Sequence, residues 1–425
     1  MKESLLHFIW QYLHFNVKNL STYSGSELTI IKQGNYQHNS GPDFENCQIM
    51  IDNIRLVGNI EIHVNSSDWN KHKHQHDPAY DTVILHVVWN HDQDVLNSKG
   101  NEIPVLELNG RVPQSLFSRY ERLISNRNDI LCHDEIEQLP RIRKLELIDK
   151  AVSLRLEQKS NIILGRLAEN KNDWEETAYQ TLLQYFGFNV NNEAFLRLAQ
   201  TLPYKLIKKH VDQPMQVEAL LFGVAGFLHD ESDQYAVELR QEYEFLATKY
   251  QIIGREIPKQ QWKFLRLRPA NFPTVRIAQL ASILSAVSNL FSFLINEKST
   301  AVKVDAFRKS VSAYWQKHYD FGKEYKKAGS YMMGRKSIEN LFVNTVAPLL
   351  AAYAVYLNQE SYMRQALELL EDIKPEQNKI TRLWEDNGFR LSSALDSQGL
   401  IMQYNHFCLE KRCLECVAGT FIIRN

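Results

Sequence analysis

The residues that could do chemistry concentrate in the first fifth of the chain. Gly41-Pro-Asp-Phe44 is followed by Gly58-Asn-Ile-Glu-Ile-His63, so Glu61 stands eighteen positions after Asp43. Alternate residues of a strand share a face, which puts Glu61 and His63 on one side of a sheet. If Asp43 opens the preceding strand of a hairpin, its carboxylate comes beside Glu61. Two converging carboxylates form a hard oxygen site suited to Mg²⁺ or Mn²⁺, and such an ion polarises a phosphate and activates water. The competing reading is a Gly-Pro-Asp turn capping a hairpin, with Glu61 on an exposed strand face.

Six of the fourteen histidines fall between residues 63 and 91. His72, His74 and His76 alternate, and in an extended segment they could converge on Zn²⁺ or a similar borderline metal. A polar loop with three solvated imidazoles is the plainer reading. His86 lies between Leu85 and Val87 in an apolar run, so its ring must be hydrogen-bonded, either within the core or as part of the site.

Cys408, Cys413 and Cys416 are spaced C-x₄-C-x₂-C near the C-terminus. Close thiolates of this kind hold zinc, with His406, Cys132 or Cys47 as a possible fourth ligand, or an iron–sulfur cluster. Alternatively they are small buried residues packing a helix. Lys263, Arg266, Arg268 and Arg276 surround an Arg-Pro-Ala-Asn-Phe-Pro stretch, and a second basic stretch runs from Lys303 to Lys336. Such residues near aromatics and helix starts can hold the phosphates of a nucleic acid, or form an ordinary solvated helix face.

Short β-type runs position the first group: Leu28–Lys32, Cys47–Ile51, Arg55–Val64, Thr82–Trp89 and Ile103–Leu108, separated by turn signals that include Asn39–Pro42 and Asp52-Asn53. A helix over Pro113–Ile124 follows. From about Leu139 the apolar spacing changes to three and four, predicting helices to the end of the chain. The expected organisation is an α/β domain over residues 1–135 and an all-helical domain over residues 136–425.

Composition sets the outer limits. The 425 residues carry 49 Lys and Arg against 50 Asp and Glu, so net charge favours no class of partner. Up to residue 135 there are 11 basic and 17 acidic residues, and the remainder is net positive. A hydrophobic share of 44% excludes a largely disordered chain. No run of eighteen apolar residues predicts a membrane span. Met1 to Phe15 has the outline of a signal sequence, but His7, Gln11 and His14 interrupt it, and an amphipathic helix is expected. Five sparse cysteines suit a reducing, cytoplasmic setting. Oligomeric state is not legible.

The opening helix, the hairpin with Pro42-Asp43 and the strand with Glu61-Ile62-His63 resemble the PD-(D/E)xK restriction-endonuclease-like superfamily over the first third of the chain. The resemblance implies a mixed sheet with flanking helices, Asp43 and Glu61 as metal ligands, and phosphodiester hydrolysis. In that family a Lys two positions after the acid helps to activate water. His63 stands there instead, and it can accept a proton without supplying a fixed charge. Lys71 or Lys73 could replace the missing cation. Some nucleases of the superfamily also carry an iron–sulfur cluster. A Lys or Arg reaching Glu61 would favour catalysis, and its absence a non-catalytic nucleic-acid-binding or scaffold protein with a degenerate nuclease fold. Over nearly the whole chain, the Gly41-Pro-Asp-Phe44, Asp68-Trp69, Leu85-His-Val-Val-Trp89 and Arg-Pro-Ala-Asn-Phe-Pro segments and the C-terminal cysteines resemble a bacterial family described as a domain of unknown function. That resemblance implies a shared architecture and no activity.

Overall fold

The computed structural model describes all residues except 38–40, 230–232, 288 and 327–330. Asn39 and Ser40 of the expected turn at 39–42, and Lys327 of the second basic stretch, lie outside the described residues. The chain divides into two units, one of Met1–Leu147 with Gln403–Asn425 and one of Ile148–Met402.

The first unit opens with α1 (Glu3–Gln11), which buries Leu5, Leu6, Phe8, Ile9 and Trp10. This is the expected amphipathic helix, shortened because Leu13 turns the chain at positive φ. A sheet follows: β1 (Leu20–Ser21), β2 (Glu27–Lys32), β3 (Asn35–Tyr36), β4 (Phe44–Ile51), β5 (Ile54–Asn65), β6 (Val83–Asn90) and β7 (Val105–Glu107), in the order β1-β2-β4-β5-β6-β7, with β3 paired to β4. The β2, β4 and β5 strands are antiparallel, whereas β5, β6 and β7 run parallel. The sheet is therefore mixed, as expected.

Asp52 and Asn53 close the β4–β5 hairpin with φ of 46° and 66°. Two consecutive positive φ values suit the twist of a two-residue hairpin, and Asp and Asn tolerate them. At the other end of β5, Ile60 lies opposite Phe44 on one side and Leu85 on the other. Gly58 permits this three-strand approach: a Cβ there would sit 2.5 Å from the Thr82 carbonyl oxygen.

The β5-to-β6 crossover is short and irregular, containing α2 (Asp68–Lys71) and 3₁₀ turns at His74–His76 and Pro78–Thr82. Trp69 anchors it. Its buried ring packs with Val83, Val95 and Ile103, and its Nε1 donates to the Leu96 carbonyl at 3.0 Å. The segment expected as an extended strand or loop of histidines is thus a pinned, tightly turned one.

Beyond the sheet come α3 (Gln114–Ser125) and α4 (His133–Ile136). The last helix, Val417–Arg424, packs on α3, and Arg119 Nε donates to the Ile423 carbonyl at 3.0 Å. The C-terminal segment, expected with the helical domain, belongs to the first unit because this helix completes its core with Ile422 and Ile423.

The second unit is mostly helical, with Pro214–Val224, Pro273–Ala286 and Val346–Leu357 among its most buried helices. It departs from the all-helical expectation in one hairpin, His318–Asp320 paired with Lys323–Glu324, where Gly322 takes φ of 67°. Arg335–Leu357 is long and apolar enough to cross a membrane, but 67% of its apolar window is buried inside the protein, as in a core helix.

Candidate metal centre

Asp43 directly precedes β4, and Glu61 and His63 project from the buried end of β5. The two acids meet. The Asp43 N–H donates to Glu61 Oε2 at 3.1 Å, and Asp43 Oδ2 accepts from the Ile62 N–H at 2.9 Å. The competing reading, with Glu61 on an exposed strand face, does not hold, since Glu61 is 5% exposed.

Three imidazoles surround this pair. His63, His72 and His74 each bring a ring nitrogen within 4.8 Å of the others. Glu61 Oε1 lies 3.4 Å from His74 Nε2 and 3.7 Å from His63 Nε2, and His63 Nε2 lies 3.0 Å from His72 Nδ1. The pinned crossover places His74, whose ring stacks on Tyr80 with centroids 3.7 Å apart. His76 is exposed and stands apart from this trio.

Behind His63 the geometry continues. Its Nδ1 lies 2.8 Å from His86 Nε2, and His86 is fully buried. In the parallel register Glu61 is paired with His86 and His63 with Val88, so the two imidazoles meet diagonally across neighbouring strands. His86 is therefore part of the site.

Two contributors from α1 were not foreseen. Glu3 Oε1 comes within 4.0 Å of His63 Nε2, and His7 Nε2 lies 3.2 Å from Asp43 Oδ2 while its Nδ1 bonds the Tyr36 hydroxyl at 3.0 Å. Positions three and seven are four apart and share a helix face. Their signal was present as polar residues interrupting the apolar stretch of the first helix.

The electrostatics follow from burial. Desolvation pushes His63 down to about 2 and His86 down to about 3, each reinforced by neighbouring imidazoles. Burial also lowers His74. Desolvation, with the Asp43 charge next, raises the Glu61 carboxyl well above the ordinary carboxylate range, and desolvation raises Glu3. Burial thus favours the neutral forms of His63, His74 and His86 and the protonated form of Glu61.

These residues fit a divalent ion. Metal–nitrogen and metal–oxygen bonds of about 2.1 Å set tetrahedral neighbours about 3.4 Å apart, close to the separations of Glu61 Oε1 from His74 and His63. The buried His74 Nε2 makes no hydrogen bond among the described residues, and such an orphaned nitrogen is costly unless something binds it. His63 would donate Nδ1–H to His86, the outer partner that a metal-binding imidazole needs.

No Lys or Arg forms an ion pair with Asp43 or Glu61 among the described residues; His7, His63 and His74 occupy those positions. Lys71 is paired with Asp68 at 2.6 Å, and Lys73 is exposed.

The other expected site residues lie elsewhere. Lys263, Arg266 and Arg268 are exposed in the second unit. Arg276 is buried instead: it donates to Gln279 at 3.0 Å and Asn271 at 2.7 Å and stacks on Phe188. Its guanidinium organises the Arg-Pro-Ala-Asn-Phe-Pro turn and is not on a solvated basic face. Cys408, Cys413 and Cys416 belong to the first unit with Cys132. Two of the proposed fourth ligands are engaged otherwise. Cys47 bonds the Gln33 carbonyl from within β4, and His406 Nε2 receives Arg412 at 2.7 Å.

No curated protein and no solved structure matches the chain. A family model described as Protein of unknown function (DUF2851) matches residues 3–379, a span that holds every residue of the metal centre and ends before the C-terminal cysteines. By that match over most of its length, the chain belongs to the DUF2851 family.

Proposed function

We propose that the first unit is a metal-dependent hydrolase of phosphodiester bonds, built on a nuclease-like sheet. The observation that carries the reading is the meeting of Glu61 with the nitrogens of His63 and His74 beside Asp43, within a trio that His72 completes. Antiparallel strands carrying the acids, followed by parallel strands, are consistent with the restriction-endonuclease-like arrangement.

The donor set refines the choice of ion. Mg²⁺ and Mn²⁺ prefer oxygen, whereas imidazole nitrogens suit Zn²⁺ or Fe²⁺ better. Glu61, His63 and His74 would hold the ion, with Asp43 completing the acidic side. When bound, it would polarise a phosphoryl oxygen and acidify the attacking water. His72 is the exposed member of the trio, so it is placed to pass a proton between the centre and solvent. His86 holds the orientation of His63, and His7 that of Asp43. The exposed Lys263, Arg266 and Arg268 would bind the phosphates of the nucleic acid.

The second reading is a non-catalytic nucleic-acid-binding or scaffold protein, favoured by the lack of a Lys or Arg at Glu61. One experiment separates them: cleavage of labelled DNA and RNA with Mn²⁺, Zn²⁺ or Mg²⁺ by the wild type and Asp43→Asn. Cleavage lost in the variant, with its fold retained, supports the hydrolase. Nucleic-acid binding without cleavage supports the second reading, and equal cleavage by both proteins refutes the assignment of Asp43.

A further inference from the structure

Within the second unit, Arg276 carries a buried charge that has no counter-ion among the described residues. It is 6% exposed, and its two terminal nitrogens donate to the neutral amide oxygens of Gln279 and Asn271 at 3.0 and 2.7 Å. Its Nε makes no hydrogen bond among the described residues. Burial works against the cation and pulls it down to about 10. A buried charge without a partner of opposite sign is costly, and holding a turn together does not require one.

Arg276 forms part of the wall of a cavity of about 350 Å³, within the range of small-molecule sites. Phe186 and Phe195 are its fully buried apolar members, and Asn189 and Val190 are among its exposed ones. Gly187 lets the chain double back here, since a Cβ there would meet the Asn191 carbonyl oxygen at 2.3 Å. The turn sets Phe188 at φ of 49°, a left-handed conformation that bulky residues rarely adopt. The Phe188 ring lies 4.6 Å from the Arg276 guanidinium carbon. That stack fixes the guanidinium in the cavity wall without supplying a counter-ion.

Two helix starts add to the positive character. Pro273 opens Pro273–Ala286, and Ser337 stands in the first turn of Arg335–Asn344; both residues line the cavity, and neither helix has a side-chain cap. First-turn N–H groups carry partial positive charge and favour an anion. Among the described residues no Asp or Glu lines the cavity. Leu267, also in the wall, is flanked in the chain by the exposed Arg266 and Arg268, which draw anions towards it.

We propose that this cavity binds a small organic anion, with a carboxylate or phosphate head at Arg276 and the two helix starts and a planar apolar body against the phenylalanines. Binding is reversible, forms no covalent bond and stands independently of any hydrolysis at the histidine centre.

The test is calorimetric titration of the full chain with inorganic phosphate, benzoate and the four ribonucleoside monophosphates. Ionic strength is held constant, and EDTA keeps metal at the histidine centre from contributing. At least one organic anion should bind more tightly than inorganic phosphate, and Arg276→Gln should weaken it by about 10- to 100-fold, the loss of a charge-assisted hydrogen bond. Preference for benzoate identifies the head as a carboxylate, and preference for a nucleotide identifies it as a phosphate. Should Arg276→Gln fail to fold, Ser337→Asp gives the same answer: Asp suits the first turn of a helix, so the melting temperature holds while the new charge repels the ligand. No binding by any probe, organic anions no tighter than inorganic phosphate, or unchanged affinity in a folded variant would overturn the proposal.

Discussion

Asp43 and Glu61 hold each other through the backbone: the Asp43 N–H donates to Glu61 Oε2 at 3.1 Å, and Asp43 Oδ2 accepts from the N–H of Ile62, next to Glu61, at 2.9 Å. The reciprocal bond locks the start of β4 to the buried end of β5 and aims both acids at one point. An Asn at position 43 keeps an acceptor oxygen for Ile62, so Asp43→Asn should melt within a few degrees of wild type while losing metal-dependent cleavage. Circular dichroism and the cleavage assay measure the two halves of that expectation.

Metal affinity should fall more steeply for a ligand than for its support. Removing the orphaned nitrogen with His74→Ala is expected to weaken Mn²⁺ or Zn²⁺ binding by more than about 100-fold. Loss of the outer partner, in His86→Leu, should cost about 10–100-fold. Titration calorimetry reads both, and unchanged affinity in His74→Ala would remove the histidine trio from the site.

The metal-free histidine centre should contribute most to stability near pH 6.5. Folded-state values of His63, His74 and His86 are depressed. Their contribution is therefore present above the unfolded value of about 6.5 and is lost as pH falls, when the unfolded chain takes up protons that the folded one refuses. Glu61 is raised, so its contribution is complete below the ordinary carboxylate value and declines as pH climbs towards the folded one. Each unmatched proton gives a slope of roughly 1.4 kcal/mol per pH unit. In denaturant titrations Glu61→Gln should lose the alkaline decline, and added metal should suppress it in wild type by taking the place of the proton.

Lys303 belongs to the second basic stretch, but its side chain is buried, and burial pushes it down to about 8. Between that value and about 10.5 the unfolded chain holds a proton that the folded one has released, so stability rises with pH across this window. At pH 7 the buried charge is a cost. Lys303→Met should stabilise the protein by roughly 1–3 kcal/mol and flatten its alkaline pH dependence, both measurable by urea unfolding.

Gly58→Ala tests the crowded end of the sheet. A methyl group 2.5 Å from the Thr82 carbonyl forces β5 and the crossover apart. The expected loss is roughly 1–3 kcal/mol, together with weaker metal binding, because the same crossover carries His72 and His74. A variant that melts and binds metal like wild type would show that the strands can relax there.

Local chemistry made much of the first unit legible in the sequence. Alternating apolar runs in β2, β4, β5 and β6, the Asp52-Asn53 turn and the apolar face of α1 are decided by neighbours within a few residues, as is the sharing of one strand face by Glu61 and His63. The change to helical spacing after Leu139 is equally local. What joined the site was not local. His72 and His74 reach Glu61 because Trp69 anchors the crossover under Leu96 and Val95, and Glu3 and His7 reach it because α1 packs across β5. The same distinction separates Arg276 from its exposed neighbours: charge type is read from sequence, whereas burial beneath Phe188 and Asn271 is set by packing. By chain order residues 403–425 go with the helical domain, yet they fold back onto α3 in the first unit. Sequence periodicity specifies which face an element buries; which distant element it buries that face against is fixed by long-range packing.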